Sequence, residues 1–487
     1  MKLLLVTDGK YPEYVNGVSI YIRYFAEEMV RCGHDIYIFH HIKSGWLNRP
    51  KIIHTVENGI VYYGLDNSPI AFFEAMVNPS KSYRERRTEI IFSSILEEIN
   101  PDLVHFHEFE RIPSFCIDLV KYKNIPVFVT LHDYWLICPR LQLFTLSEHI
   151  CEGPNEGKNC IVNCLSGNFL TRQYRKIIMS LPEGNLHKSI TKLRNIYKIS
   201  KGKNLGQSSS HSYIKKNFSG LKNKKLLESF KKREMYCKNS LTKADIIIAV
   251  SNCVKEVFKK QGIEEEKIIV NQLGVKSIDW IIKRVFRFKH YPLRFGFLGH
   301  LGPSKGAHLI TKAAKTIPPS KAKFFFFGGA ASETLYDFQK NIKDLTHCIY
   351  KGKYCYNNIN SIFDNFDILI IPSLWQETLG MIGLEAQAAG IPLISSDTGG
   401  MKDYINDGIN GLLFPTGNVE ELVKCLTTII EAPCQIEEMS KRAFVPKSIK
   451  EDCEIMINKY KDFSSCQINK YNLSVNNNYN KIVTNYK

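Results

Sequence analysis

Short apolar runs that alternate with helical patterns constrain this chain more than any other feature. Leu3 to Val6 is one such run. Asn16-Gly17-Val18 then makes a turn, Ile20, Tyr24, Phe25 and Val30 fall near helical spacing, Gly33 stops the helix, and Ile36 to Phe39 is the next run. Apolar runs this short, bounded by turn residues, read as buried strands. A strand–helix–strand order calls for a parallel sheet with helices on its faces. Leu103 to Phe106, Val127 to Thr130 and Ile246 to Val250 continue the series, with a helix after Ser251. A second series begins at Phe295 to Leu298 and runs through Phe324 to Phe327 and Ile368 to Ile371. The chain has 487 residues, and at roughly 100–200 residues per domain that allows two or three domains. The pattern therefore predicts an α/β protein of two doubly wound, Rossmann-like domains in tandem, joined near 275–292. No internal sequence repeat relates the halves.

The expected boundaries are a first domain over 1–285, a second over 286–445, a helix over 446–462 that packs back on the first domain, and a disordered tail over 463–487. The tail is rich in Asn, Tyr, Lys and Ser and has no periodicity. No apolar run approaches the ~18–20 residues that span a bilayer. The opening Met1 to Val6 is too short for a signal segment and reads as the first strand. A cytoplasmic protein with reduced thiols is the expectation.

The formal charge of +17 is concentrated. Residues 171–240 hold 18 Lys or Arg against three Glu, a local excess of 15 positive charges. Leu170, Tyr174, Ile177, Ile178 and Leu181 share one helical face among these cations. Two readings stand: peripheral contact with an anionic membrane, or packing of that face on the first domain. Nucleic acid is not an expected partner, because no binding motif accompanies the charge. The insert also begins with a cluster: Cys138, Cys151, Cys160 and Cys164 lie within 27 residues. Four cysteines in a loop suit a structural zinc site. The spacing is not that of a standard ribbon or finger, so free thiols or a redox pair stay open.

The chemistry concentrates after the strand at 368–371. Pro372-Ser373-Leu374-Trp375-Gln376-Glu377-Thr378-Leu379-Gly380-Met381-Ile382-Gly383-Leu384-Glu385 runs into a helix ending near Gly390. Eight helical residues rise ~12 Å, too far for two carboxylates to act as the close pair of ~5–5.5 Å found in retaining glycosidases. Glu377 and Glu385 suit instead the two ends of one long polar ligand. Between them the amides of Thr378, Leu379, Gly380 and Met381 open a helix, which is an anion site.

These residues resemble glycosyltransferase family 4, retaining enzymes of the GT-B fold. Glu377 and Glu385 match the family's E-x7-E motif, followed by Ala388-Ala389-Gly390-Ile391-Pro392, Asp397-Thr398-Gly399-Gly400 and Asp407-Gly408-Ile409-Asn410-Gly411. The resemblance implies two Rossmann-like domains facing each other across a cleft. Glu377 would contact the transferred sugar, Leu379 to Met381 the pyrophosphate, and Glu385 the ribose. Gly299-His300-Leu301-Gly302-Pro303-Ser304-Lys305-Gly306 resembles the family's Arg and Lys diphosphate clamp. Lys305 fits, whereas His300 occupies the arginine position and offers one hydrogen bond in place of a charged fork. Gly17 sits in the loop facing the donor phosphate, and His132, in His132-Asp133, would face the reacting sugar. His105 and His107 end another strand, and the reading favoured for them is no role in the site, with lining of the acceptor site as the alternative.

The implied activity is retaining transfer from a UDP-, GDP- or ADP-sugar to a glycan, lipid-linked or other hydroxyl acceptor. His132, Lys305 and Glu377 would be catalytic, with no catalytic metal or other cofactor, in making cell-surface polysaccharide or glycoconjugate. The alternative is a non-catalytic protein that binds a nucleotide-sugar.

Overall fold

The computed structural model describes residues 1–45, 49–72, 74–164, 221–284, 286, 288 and 291–463. The first sheet contains β1 (Lys2–Val6), β2 (Asp35–His41), β3 (Lys51–Glu57), β4 (Ile60–Asp66), β5 (Leu103–Phe106), β6 (Val127–Leu131), β7 (Ile246–Ala249) and β8 (Ile268–Val270), in the order β3-β4-β2-β1-β5-β6-β7-β8. All neighbours are parallel except β3 and β4. That hairpin was not among the expected strands. Its turn is Asn58-Gly59, with φ of 51° and 77°, the backbone that a two-residue hairpin loop demands.

The second sheet contains β9 (Leu293–Leu298), β10 (Ala322–Phe327), β11 (Cys348–Gly352), β12 (Ile368–Ile371), β13 (Leu393–Ser396) and β14 (Gly411–Phe414), all parallel, in the order β11-β10-β9-β12-β13-β14. Both sheets carry buried apolar strands, as parallel sheets covered on two faces require: Leu3, Leu4 and Leu5 in one, and Ile368, Leu369 and Ile370 in the other, are at most 1% exposed.

The strand order reverses at β1, which lies between β2 and β5, and again at β9, between β10 and β12. Ligand sites in such sheets lie beyond the carboxyl ends of the strands at these reversals. The loop before Gly17 follows β1, His107 follows β5, His300 and Lys305 follow β9, and Glu377 follows β12. The fold thus gathers residues hundreds of positions apart at two facing sheet mouths.

After the second sheet the chain returns to the first through a helix over 449–463. Asp452 anchors it: fully buried, it accepts hydrogen bonds from Tyr21 Oη (2.9 Å), Asn271 Nδ2 (2.9 Å), the Gly274 amide (2.8 Å) and Lys447 Nζ (2.7 Å). A Cβ on Gly274 would stand 2.5 Å from the Ser448 carbonyl oxygen, so only glycine allows this approach. Of the basic insert, the structure describes the helix Leu221–Leu241. The apolar pattern from Leu170 to Leu181 and the tail beyond 463 lie outside the described residues. Among the described residues, no helix is long and apolar enough to cross a membrane.

Candidate active site at two facing sheet mouths

At the second mouth three donors converge on one oxygen. Glu377 Oε1 accepts from Lys305 Nζ at 2.5 Å, Ser373 Oγ at 2.7 Å and Trp375 Nε1 at 2.8 Å. The carboxylate side chain is 7% exposed and the lysine side chain 31%. Lys305 also lies over the Trp375 ring, 5.2 Å from its centroid. Backbone packing fixes the arrangement. The Leu374 amide donates to the Ser304 carbonyl, and a Cβ on Gly306 would collide with the Pro372 carbonyl oxygen at 1.8 Å. The Gly400 amide donates to the Glu377 carbonyl at 2.7 Å, and a Cβ on Gly399 would meet that oxygen at 2.3 Å. The Gly399-Gly400 pair is therefore glycine because the Glu377 loop lies against it.

The helix begins at Met381 and ends at Ala388. This corrects the expectation of helix along the whole span between the two carboxylates. Gly380 caps it with φ 76°, a left-handed residue, so Glu377, Thr378 and Leu379 lie in the preceding loop, and the ~12 Å helical rise does not apply to the pair. Glu385 lies inside the helix and is buried. Its Oε1 accepts from Ser277 Oγ at 3.0 Å. Burial raises its carboxyl to about 7, against the opposing hydrogen bonds of Tyr356 and Ser277.

His300 presents its side chain at the rim. Its Nδ1 accepts the Gly302 amide at 3.0 Å, which leaves Nε2 as the N–H donor of a neutral ring. Partial burial, and then the Lys305 charge, lower its pKa.

At the first mouth the charged groups are buried. Asn16 caps the helix Gly17–Arg31: its Oδ1 accepts from the Ser19 amide at 2.6 Å. Glu108 braces that loop by accepting from Thr7 Oγ1 (2.6 Å), the Asp8 amide (2.9 Å) and Asn16 Nδ2 (3.2 Å). Burial, then Asp8, raise Glu108 to about 6. Burial raises Asp133 to about 7. Arg111 Nε donates to Asp8 Oδ1 at 3.1 Å.

His132 is 6% exposed, and its Nε2 is 2.9 Å from His107 Nδ1. The His107 ring lies tilted, with its centroid 4.0 Å from that of His105, whose Nδ1 meets Tyr460 Oη of the returning helix at 2.7 Å. Burial lowers His105 and His132 to about 3 and His107 well below its ordinary value. All three rings are neutral at physiological pH. Of the two readings of His105 and His107, the contacts favour the alternative to no role, because they link the pair to His132 and to the terminal helix.

The two mouths touch. Thr378 Oγ1 donates to the His132 carbonyl at 2.8 Å, and Ser251 Oγ donates to the Thr378 carbonyl at 2.5 Å. The Asn252 amide donates to Asp403 Oδ2 at 2.7 Å. A Cβ on Gly17 would stand 4.0 Å from Met381 Cγ. Tyr134 meets Trp375 edge to face at 6.5 Å. Gly17, His132 and Thr378 to Met381 thus meet where the mouths touch, with Lys305 and Glu377 beside them and Glu385 buried in the helix that follows. Ser373, Trp375, Ser277, Tyr356 and Glu108 went unassigned in the sequence reading. Ser277 lies 108 residues from Glu385 and Glu108 lies 101 from Thr7, and no local pattern announces such pairs.

The four cysteines of the insert line one small cavity away from this cleft. Among the described residues, no three His, Cys, Asp or Glu side chains stand with their donors already gathered for a metal ion.

Comparisons with known proteins agree with this architecture. Residues 15–155 match the profile "Glycosyltransferase Family 4", and residues 279–444 match "Glycosyl transferases group 1". An uncharacterized glycosyltransferase of Methanocaldococcus jannaschii is 24% identical over 54% of this chain and 78% of its own length. Sucrose-phosphate synthase from Thermosynechococcus elongatus superposes with a TM-score of 0.62 over 96% of this chain and 99% of that one, at 13% identity. HepE of Anabaena, solved in complex with UDP, superposes with a TM-score of 0.57 over 95% and 100%, at 14% identity. At such identities the superpositions speak for the fold.

Proposed function

The chain belongs to glycosyltransferase family 4, with the GT-B fold, and from that premise we propose that it transfers a sugar from a nucleotide-sugar donor with retention of configuration. The observation that carries this reading is the convergence of Lys305, Ser373 and Trp375 on Glu377 Oε1. A carboxylate held by three donors has little freedom to move, and it sits where a sugar would lie beside a diphosphate. HepE binds UDP, which supports a uridine donor as the first to try.

In this reading the diphosphate rests against the amides of Leu379 to Met381, with Gly17 closing over it. Lys305 is the fixed cation. As the leaving oxygen gains charge, a lysine already in place stabilises it without reorganisation, a contribution worth about 3–4 kcal/mol for one well-placed donor. The Lys305 ammonium has three N–H donors, so it can meet the phosphate while Ser373 and Trp375 help it hold Glu377 for the sugar hydroxyls. Glu385 accepts from the ribose. His132 is neutral and serves as a hydrogen-bonding group for the reacting sugar. The acceptor hydroxyl attacks from the face the diphosphate leaves, and the departing phosphate oxygen takes its proton. Charge is met by Lys305 and backbone amides, so this route calls for no catalytic metal.

The acceptor is proposed to be a glycan or lipid-linked hydroxyl in polysaccharide or glycoconjugate assembly. Lys224, Lys225, Lys231 and Lys232 are exposed on the helix Leu221–Leu241 and support peripheral contact with an anionic membrane. Absence of flotation with anionic vesicles at low salt would remove that contact.

A thermal-shift screen of UDP-, GDP- and ADP-sugars, followed by labelled-donor transfer and hydrolysis, tests the function. One donor class should stabilise the protein and turn over. A neutral His300 in place of an arginine favours a second reading, a protein that binds the donor without transfer. Stabilisation with neither transfer nor hydrolysis would select it.

A further inference from the structure

Outside the cleft, the loop after His132-Asp133 holds four thiols that sugar transfer does not use. Cys138, Cys151, Cys160 and Cys164 line a cavity of about 10 Å³, shared with Arg140 and apolar side chains, room for about one water-sized occupant. Cys138, Cys160 and Cys164 are buried and Cys151 is half-buried, all as free thiols. Each of the six pairs among them is close enough to interact electrostatically, and with burial this raises Cys151, Cys160 and Cys164, the last to about 11.

The charge around the cavity is unbalanced. Arg140 lies close enough to Cys164 to hold its thiol lower than burial alone would, and its Nη1 is buried with no hydrogen-bond partner among the described residues. Arg140 is half-buried, and among the described residues no carboxylate is paired with it, so thiolates here would supply a counter-charge. The loop is also tightly wound. Leu141, Leu143, Glu148, Asn155 and Glu156 all have φ between 47° and 71°, costly for side chains other than glycine unless the surroundings hold them.

We propose that Cys138, Cys151, Cys160 and Cys164 bind one zinc ion as four thiolates, in a structural site that pins the 138–164 loop. Four S–H bonds break, four zinc–sulfur bonds form, and four protons leave to solvent, so no oxidant or reductant is needed. The ion and its thiolates together carry two negative charges, which Arg140 partly offsets. As it stands, Cys151 Sγ donates to the Gly153 carbonyl at 3.4 Å. Rotation about χ1 between staggered positions turns a sulfur inward without moving the backbone.

The loop is tied to the acceptor side of the cleft. Cys160 and Ile161 pack on Phe230 of the helix Leu221–Leu241. From the same helix, Arg233 is buried and donates to the carbonyls of Trp135 and Ile137. Ion, helix and the His132-Asp133 turn thus form one unit.

The test uses the full chain purified without chelator. Elemental analysis should find about one zinc per chain in the wild type and in the control Cys434→Ser, whose cysteine is exposed and remote. Cys138→Ser, Cys160→Ser and Cys164→Ser should each lose metal affinity by at least about tenfold. Cobalt exchanged into the wild type should give the absorption bands of a tetrahedral thiolate site, a readout that does not depend on any variant folding. The proposal is overturned if the folded wild type takes up neither zinc nor cobalt, if the serine variants hold zinc undiminished, or if mass spectrometry finds disulfides or an iron–sulfur cluster on these four cysteines.

Discussion

At the mouth of the second sheet, a lysine with about a third of its side chain exposed meets a buried glutamate at 2.5 Å. At the mouth of the first sheet, three histidines are packed and neutral, and Glu108 and Asp133 are raised by burial to about 6 and about 7. One mouth holds an ion pair, Lys305 with Glu377, whose lysine is partly exposed. The other has charges that appear or vanish within a unit or two of neutrality. The difference suits a division of labour: fixed charge for a diphosphate of fixed charge, and a drier, hydrogen-bonding surface for neutral hydroxyls. It also separates stability from catalysis. The Lys305–Glu377 pair is partly exposed and contributes at most about 1 kcal/mol to folding, so its purpose lies in the ligand.

The largest expected effect is at the second mouth. Lys305→Ala should lower turnover of the labelled donor by about 10²–10³-fold while leaving the unfolding midpoint nearly unchanged. Near-normal turnover would erase the contrast between the mouths. At the first mouth, His132→Ala should lower kcat/KM by about 10- to 100-fold, the worth of one or two hydrogen bonds. Any acid limb of the pH profile near 6–7 should survive in that variant, because Glu108 and Asp133 titrate there and His132 does not. Loss of that limb would mean that the histidine is the titrating group.

Glu385 makes the second mouth pH-sensitive too, through stability. Its folded pKa of about 7 lies above the ordinary glutamate value of about 4.3. The stabilisation from its protonation is complete below the unfolded value and is lost as pH rises through about 7. Glu385→Gln, which keeps an acceptor for Ser277 and Tyr356, should therefore gain about 1–3 kcal/mol over wild type at pH 8 relative to pH 5 in urea unfolding. Equal differences at both pH values would show that the carboxyl is not held up by burial. The smallest effect is at His300: His300→Arg should tighten donor binding by about three- to tenfold, as a charged donor replaces a neutral one. The gain is limited because the Gly302 amide loses its acceptor.

Much of the second mouth was legible because its parts are close in sequence. Glu377 and Glu385 share one loop–helix unit, and the loops after β9 and β13 carry glycines, Gly306 and Gly399-Gly400, that mark close backbone approaches. The first mouth was harder to read. Glu108, Asp8 and Asn16 meet only because β1 and β5 lie side by side, and His107 reaches His132 across β5 and β6. Apolar runs located eight of the fourteen strands among the described residues, each within a few residues, but not the β3–β4 hairpin or the short strands β8, β11, β13 and β14. The hairpin's Asn58-Gly59 turn was visible, whereas β8, with three residues, offers too little pattern. The helix start at Met381 was misplaced because the left-handed turn at Gly380 follows from packing: the Tyr404 hydroxyl donates to the Gly380 carbonyl at 2.9 Å.

The central claim is that Glu377 is held in place to act on the transferred sugar. Its most direct test is to measure donor affinity and turnover side by side in wild type and Glu377→Gln. The amide keeps an oxygen for Ser373 and Trp375 and loses the charge, so donor affinity should change by less than about tenfold while turnover falls by about 10²-fold or more. Turnover within a few-fold of wild type would contradict the account.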